Sequence, residues 1–133
     1  MWYFENKPIT ELPEGFASFV YRITNNVTGK QYIGKKKFHT YQRKKVKGRK
    51  NRKKIVKESD WKTYYGSNEE LKQDIEELGV DKFHREILDF CKTTGQASYT
   101  EAKYQFQFGV LENPELWYNS WIQCKVHRTH LKK

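Results

Sequence analysis

Cysteine, proline and long apolar runs are scarce in this chain. Two cysteines, Cys91 and Cys124, in 133 residues are too few for a disulfide-stapled secreted fold, and they imply a reducing, cytoplasmic setting. No run of apolar residues is long enough to span a bilayer, so no membrane partner is expected. The opening "MWYFENKPITELPEGF" has neither the basic start nor the apolar stretch of a signal peptide. Aliphatic side chains are scarce too: hydrophobic residues make up 36% of the chain and aromatic residues 16%. A core resting on Phe, Tyr and Trp is expected, and the length suits one domain built around it.

Acidic residues are missing from one whole segment. Residues 35 to 57, "KKKFHTYQRKKVKGRKNRKKIVK", hold thirteen of the 26 Lys and Arg and no Asp or Glu. The rest of the chain sets thirteen bases against 16 acids, a net of −3. The overall +10 is therefore a +13 block attached to a slightly acidic body. Segregated positive charge suits a polyphosphate, because each contacted phosphate releases condensed counterions. Lys35, Lys37, Lys44, Lys45, Lys47, Arg49, Lys50, Arg52, Lys53 and Lys54 are the candidate nucleic-acid contacts. A role without nucleic acid leaves the block without a purpose.

Residues 1–16 carry Pro8, Pro13 and Gly15 and predict an irregular lead-in. "ASFVYRIT" and "QYIGKK" are β-branched and aromatic runs on either side of "NNVTGK", which predicts a β-hairpin. The basic insertion, residues 35–58, follows as a long loop or a partly helical arm. In "YYGSNEELKQDIEELG", Ser67 and Glu70 form an S-x-x-E capping box, Leu71, Ile75 and Leu78 share a face, and Gly79 stops the helix. "KFHREILDF" predicts a third strand, and "SYTEAKYQFQFGVL" a second helix that starts at Ser98 with Glu101. "LWYNSWIQCKV" closes the domain as a short helix or strand, and residues 122–133 form a basic tail. The order β-β-α-β-α describes a single α+β domain over residues 1–133, a small antiparallel sheet flanked by helices.

A four-residue loop Asn25–Thr28 pairs Thr24 with Gly29 and sets Tyr21 directly opposite Tyr32. The period of two puts Gly34 and Lys36 on the same face. Gly34 is then expected to leave open space beside the phenols, with Lys36 placing a charge at its edge. Each residue also has a plainer reading. Tyr21 and Tyr32 can be a packing pair, Glu101 a capping carboxylate and Asn119 a turn residue. Trp61, Tyr64 and Tyr65 either stack on bases or cover the core. Cys124, His127 and His130 have a zinc-like spacing, for which Cys91 is the available fourth ligand.

The stretch "FVYRITNNVTGKQYIGKK" resembles the paired motif of the GIY-YIG nucleases, with "FVY" standing for GIY and "YIG" unchanged. The likeness continues in "YYGSNEELKQDIEELGVDKFHREIL", in "TEAKYQF" and in "WYNSW", covering Phe19 to Trp121. It implies an endonuclease that hydrolyses phosphodiester bonds in DNA, double-stranded DNA above all, with Mg²⁺ or Mn²⁺. Tyr21 or Tyr32 would contact or activate the attacking water, Glu101 would hold the metal, and Asn119 would support the site. A free phenol has a pKa of about 10, so the metal or Lys36 would have to stabilise a phenolate. One carboxylate, waters and substrate suffice for Mg²⁺, which polarises the phosphate and stabilises the leaving oxygen.

Two positions depart from the family pattern. Phe19 stands where the first motif residue is usually Gly, which affects packing more than chemistry. The arginine expected on the helix after YIG has Gln42 at its spacing and Arg43 beside it, so either Arg43 fills the role or Lys36 replaces it. His39 is the candidate for the family's histidine. The unmatched arginine also leaves open a catalytically inactive nucleic-acid-binding module of the same fold. An RNA-binding protein whose arm folds on RNA is a further alternative. Phage-borne homing endonucleases are among the relatives, so a phage-encoded protein inside a bacterial host is an implied setting. Target recognition would fall to the arm, to loops, to a homo-oligomer or to a partner.

Overall fold

The first ten residues are a hairpin and not an irregular lead-in. In the computed structural model, which describes residues 1–44, 53–123 and 127–131, Trp2–Phe4 (β1) and Lys7–Ile9 (β2) pair antiparallel. The turn residues Glu5 and Asn6 have φ of 49° and 67°, the twist that a two-residue hairpin loop demands. Pro8 is tolerated because β2 is an edge strand, where a missing N–H breaks no ladder.

Ser18–Asn25 (β3) and Gln31–Lys37 (β4) form the expected hairpin. His39–Lys44 (β5), Lys53–Glu58 (β6), helix Glu69–Leu78 (α1), Phe83–Cys91 (β7) and helix Thr94–Phe108 (α2) follow. The main sheet has the order β2-β1-β7-β3-β4 and is mixed, because β1 runs parallel to β7. One residue of β7, Leu88, is left over where Val20 pairs with Asp89 and Tyr21 with Ile87. Such a bulge bends and twists the strand that carries it.

The hairpin register differs from the expected one. Tyr21 lies opposite Gly34, and Tyr32 lies opposite Ile23. Asn25 is the cause. Its backbone N–H donates to Lys30 O (2.9 Å), and its side-chain Oδ1 accepts from Val27 N (2.9 Å) and Thr28 N (3.2 Å). The turn therefore begins one residue later: the first strand gains Asn25, and the return starts at Lys30 in place of Gly29. The partner shift is an even number, so both tyrosines keep their common face.

The basic segment is neither a loop nor a helical arm where it is described. β5 and β6 make a separate two-stranded ribbon, in register from His39 opposite Glu58 to Lys44 opposite Lys53. Lys45, Lys47, Arg49, Lys50 and Arg52 lie outside the described residues.

Two apolar clusters hold the sheet. On one face Trp2, Phe19, Tyr21, Ile23, Phe38, Trp61, Leu71 and Ile87 pack together, with Tyr64, Tyr65, Ile75 and Leu78 against them. The rings meet mostly edge-on or tilted, as Trp2–Phe19 (centroids 5.1 Å) and Phe38–Trp61 (5.2 Å) do, which suits the aromatic quadrupole. On the other face Val20, Ile33, Cys91, Ala97 and Val110 pack beneath α2. No helix of the described residues is long and apolar enough to cross a membrane.

Candidate active site

β4 is the open edge of the sheet, and the chain after α2 returns to cover half of it. Gln31 N donates to Leu116 O and Tyr118 N to Gln31 O, both at 2.8 Å, with Gln31 and Trp117 bridged in parallel. Asn119 continues this ladder with its side chain. Its Nδ2 donates to Ile33 O (2.8 Å), and Ile33 N donates to its Oδ1 (3.0 Å). Asn119 is therefore a clamp on the middle residue of the YIG triplet. Beyond Ile33 the edge is uncovered, and the pocket forms there.

The far wall of the pocket is α2. The expected start of this helix at Ser98 is wrong: Thr93 is the cap, its Oγ1 accepting from Gln96 N at 3.0 Å. Glu101 consequently sits in mid-helix, which removes its reading as a capping carboxylate. It lines a cavity of about 330 Å³ with Tyr32, Lys35, Ser67, Asn68, Gln105, Asn119 and Trp121. α1 also starts later than expected, at an Asn68 cap whose Oδ1 accepts from Leu71 N at 3.0 Å. The capping box expected at Ser67 is thus absent, and Ser67 instead lines the pocket together with Tyr32.

Burial raises the Glu101 carboxyl to about 7, with the charge of Lys35 pulling the other way. Lys35 Nζ donates to Ser98 Oγ at 2.5 Å, one turn before Glu101. Gln105, one turn after it, is buried; its Nε2 donates to Ile33 O (3.4 Å) while its Oε1 has no partner. Ser98, Glu101 and Gln105 thus form a polar stripe at i, i+3 and i+7.

The two phenols have different access. Tyr21 is 1% exposed, whereas Tyr32 reaches the pocket wall. Their ring centroids are 6.2 Å apart, and Tyr64 lies 6.0 Å from Tyr21. Burial, then the neighbouring Tyr32, holds the Tyr21 phenol well above its usual range. Burial also raises Tyr32, with the Ser67 hydroxyl pulling the other way. The open space expected at Gly34 does not exist. A Cβ there would stand 2.6 Å from Tyr21 Cζ and 2.9 Å from Tyr32 Cε2, so the rings already occupy that volume.

The other predicted residues lie elsewhere. Lys36 shares the tyrosine face as expected, but its Nζ pairs with Asp60 Oδ1 (2.6 Å) and sits 4.0 Å from the Tyr64 ring centroid. His39 stands at the foot of the basic ribbon, lining a different cavity with Lys37. Arg43 falls on β5 opposite Lys54, and Lys44, Lys53 and Lys54 fall on the same ribbon. Cys91 is buried under α2, His127 and His130 cap a short turn, and Cys124 lies outside the described residues.

Sequence reasoning put Lys35 among the nucleic-acid contacts and missed Gln105 and Trp121. The stripe spacing on α2 could have found Gln105. A divalent ion fits the donors present: the Glu101 carboxylate, the unpartnered Gln105 carbonyl and nearby hydroxyls are hard oxygens. Mg²⁺ completes such a set with water and phosphate. Among the described residues no three His, Cys, Asp or Glu side chains converge, so one carboxylate would anchor the ion.

A family model described as "Putative endonuclease segE, GIY-YIG domain" matches residues 2–122. No curated protein and no solved structure matches the chain. The matched span takes in every strand of the main sheet, both α-helices and the Asn119 clamp. A match of that extent makes the chain a member of the GIY-YIG endonuclease family.

Proposed function

We propose that the chain is a divalent-metal-dependent endonuclease that cuts DNA at the Glu101 pocket, with Mg²⁺ or Mn²⁺ as the ion. The observation that carries this reading is Glu101, a lone carboxylate that burial holds near 7 beside the unpartnered Gln105 oxygen. A carboxylate placed so is short of positive charge. Glu101 and Gln105 would hold the ion, which supplies Lewis-acid polarisation of a phosphate and stabilises the leaving oxygen.

The chain's own residues do the rest. Tyr32, raised by burial, stays protonated at neutral pH and donates a hydrogen bond to a phosphate oxygen or to the attacking water. Tyr21 lies behind it and fixes its ring. Lys35 turns from Ser98 to a phosphate oxygen, and Asn119 holds the strand that carries Tyr32. Trp121, 68% exposed at the rim, offers a stacking face to an unpaired or splayed base. The basic ribbon adds backbone affinity.

The test is conversion of supercoiled plasmid to nicked or linear DNA in Mg²⁺ or in EDTA. Glu101→Ala and Tyr32→Phe should each lower the metal-dependent rate by about 100-fold or more. Tight, salt-sensitive binding with no cutting in any metal would instead identify an inactive binding module. Binding to duplex DNA and structured RNA at one salt concentration separates the two nucleic acids.

A further inference from the structure

A second cavity, about 910 Å³ against about 330 Å³ at Glu101, lies between the foot of the basic ribbon and the first turn of α2. Its walls include Ser18, Lys35, Lys37, His39, Thr94 and Gly95, and no Asp or Glu of the described residues lines it. Thr94 and Gly95 open a fifteen-residue helix. Their amides have no carbonyl one turn earlier to bond, and they carry the positive end of the helix dipole. Such a terminus binds oxyanions.

An independent feature points the same way. Ser18 is 1% exposed, lines this groove, and its hydroxyl has no hydrogen-bond partner. A buried hydroxyl without a partner is costly, and an oxyanion accepts from it. Ser18 is the register partner of Lys37, and Lys35 stands two residues away on the same face. One face of the sheet, from the neighbouring strands β3 and β4, therefore delivers a hydroxyl and two ammonium groups to a helix start.

We propose that this groove seats one backbone phosphate of the nucleic acid, apart from the phosphate that meets Glu101; the proposal rests on the nuclease reading above. Gly95 and Glu101 are six residues apart on α2, about 9 Å of helical rise. A DNA strand advances about 3.4 Å per nucleotide along the duplex axis. With the duplex axis parallel to α2, the seat would lie about two to three nucleotides from the cut. Lys35 borders both cavities, so a strand laid along α2 meets both.

The experiment follows backbone amide resonances of the full-length ¹⁵N-labelled protein in EDTA, titrated with a short DNA duplex and separately with inorganic phosphate. The Thr94 and Gly95 amides should move with the duplex along its binding curve. Lys37→Gln should abolish that movement, weaken binding by about three- to tenfold and reduce the salt slope by about one. Saturation by duplex with both amides unmoved overturns the proposal and leaves the nuclease reading standing. Movement with millimolar phosphate but not with duplex overturns it too, making this a free-phosphate site. Absence of any duplex binding removes both readings. Amide movement without plasmid cutting in metal supports the seat and refutes the nuclease.

Discussion

Glu101 is destabilising where it is charged. Its carboxyl has a reference value of 4.5 and stands at about 7 in the folded chain, so the folded state holds its proton more tightly than the unfolded state. Stability without metal must fall as pH rises from about 4.5 through about 7 and then level off. Glu101→Gln should therefore raise the melting temperature of the metal-free protein above pH 7 and change it little below pH 4.5. Thermal melts across that range check it, and a loss of stability at pH 8 would contradict the burial of the carboxylate. Gly34 is the second residue with a sharp expectation. Gly34→Ala drives a methyl into the Tyr21 and Tyr32 rings and should cost about 1–3 kcal/mol in chemical denaturation. The residues of the site were legible in the sequence as types and order: Tyr32, Glu101 and Asn119 do line one pocket. What was not legible is the space among them. Alternation gives the face of a residue but not the reach of a lysine stem, so Lys36 was expected at the phenols and Lys35, which approaches Glu101, was not.

At the scale of elements, the edge strand β4 depends on a side chain from the far end of the fold. Asn119→Ala leaves both the N–H and the C=O of Ile33 without that partner. It should cost about 2 kcal/mol or more, with faster hydrogen exchange at the Ile33 amide as its signature. The basic ribbon sets Arg43 in register with Lys54 and Lys44 with Lys53. Lys44→Glu should weaken DNA binding and lower the salt slope by about one, which a salt-series titration measures. The main elements were readable, because β-branched runs and helical periodicity are local signals. The N-terminal hairpin was not, since Pro8 argues against a strand unless the edge is known. Both helix starts were displaced for a related reason. Ser67 and Ser98 match the capping pattern, but Asn68 and Thr93 make the actual bonds.

Over the whole molecule, charge and aromatic surface divide the work. The acidic body holds the pocket, and the +13 segment runs from the edge strand into the ribbon. Affinity for duplex DNA should accordingly fall steeply between low and physiological salt, by about 0.9 of a log unit per log of salt for each phosphate neutralised. Binding isotherms at several salt concentrations give that count directly, and a slope near zero would exclude the segment from binding. The four tryptophans divide just as unevenly. Trp2, Trp61 and Trp117 are no more than 8% exposed, and Trp121 is 68% exposed. Iodide in solution can collide with one indole and is shut out from the other three. The quenchable part of the protein's ultraviolet emission is thus a report from the rim of the Glu101 pocket, readable without any label or substitution. A strand arriving there would be seen as that emission escaping the quencher.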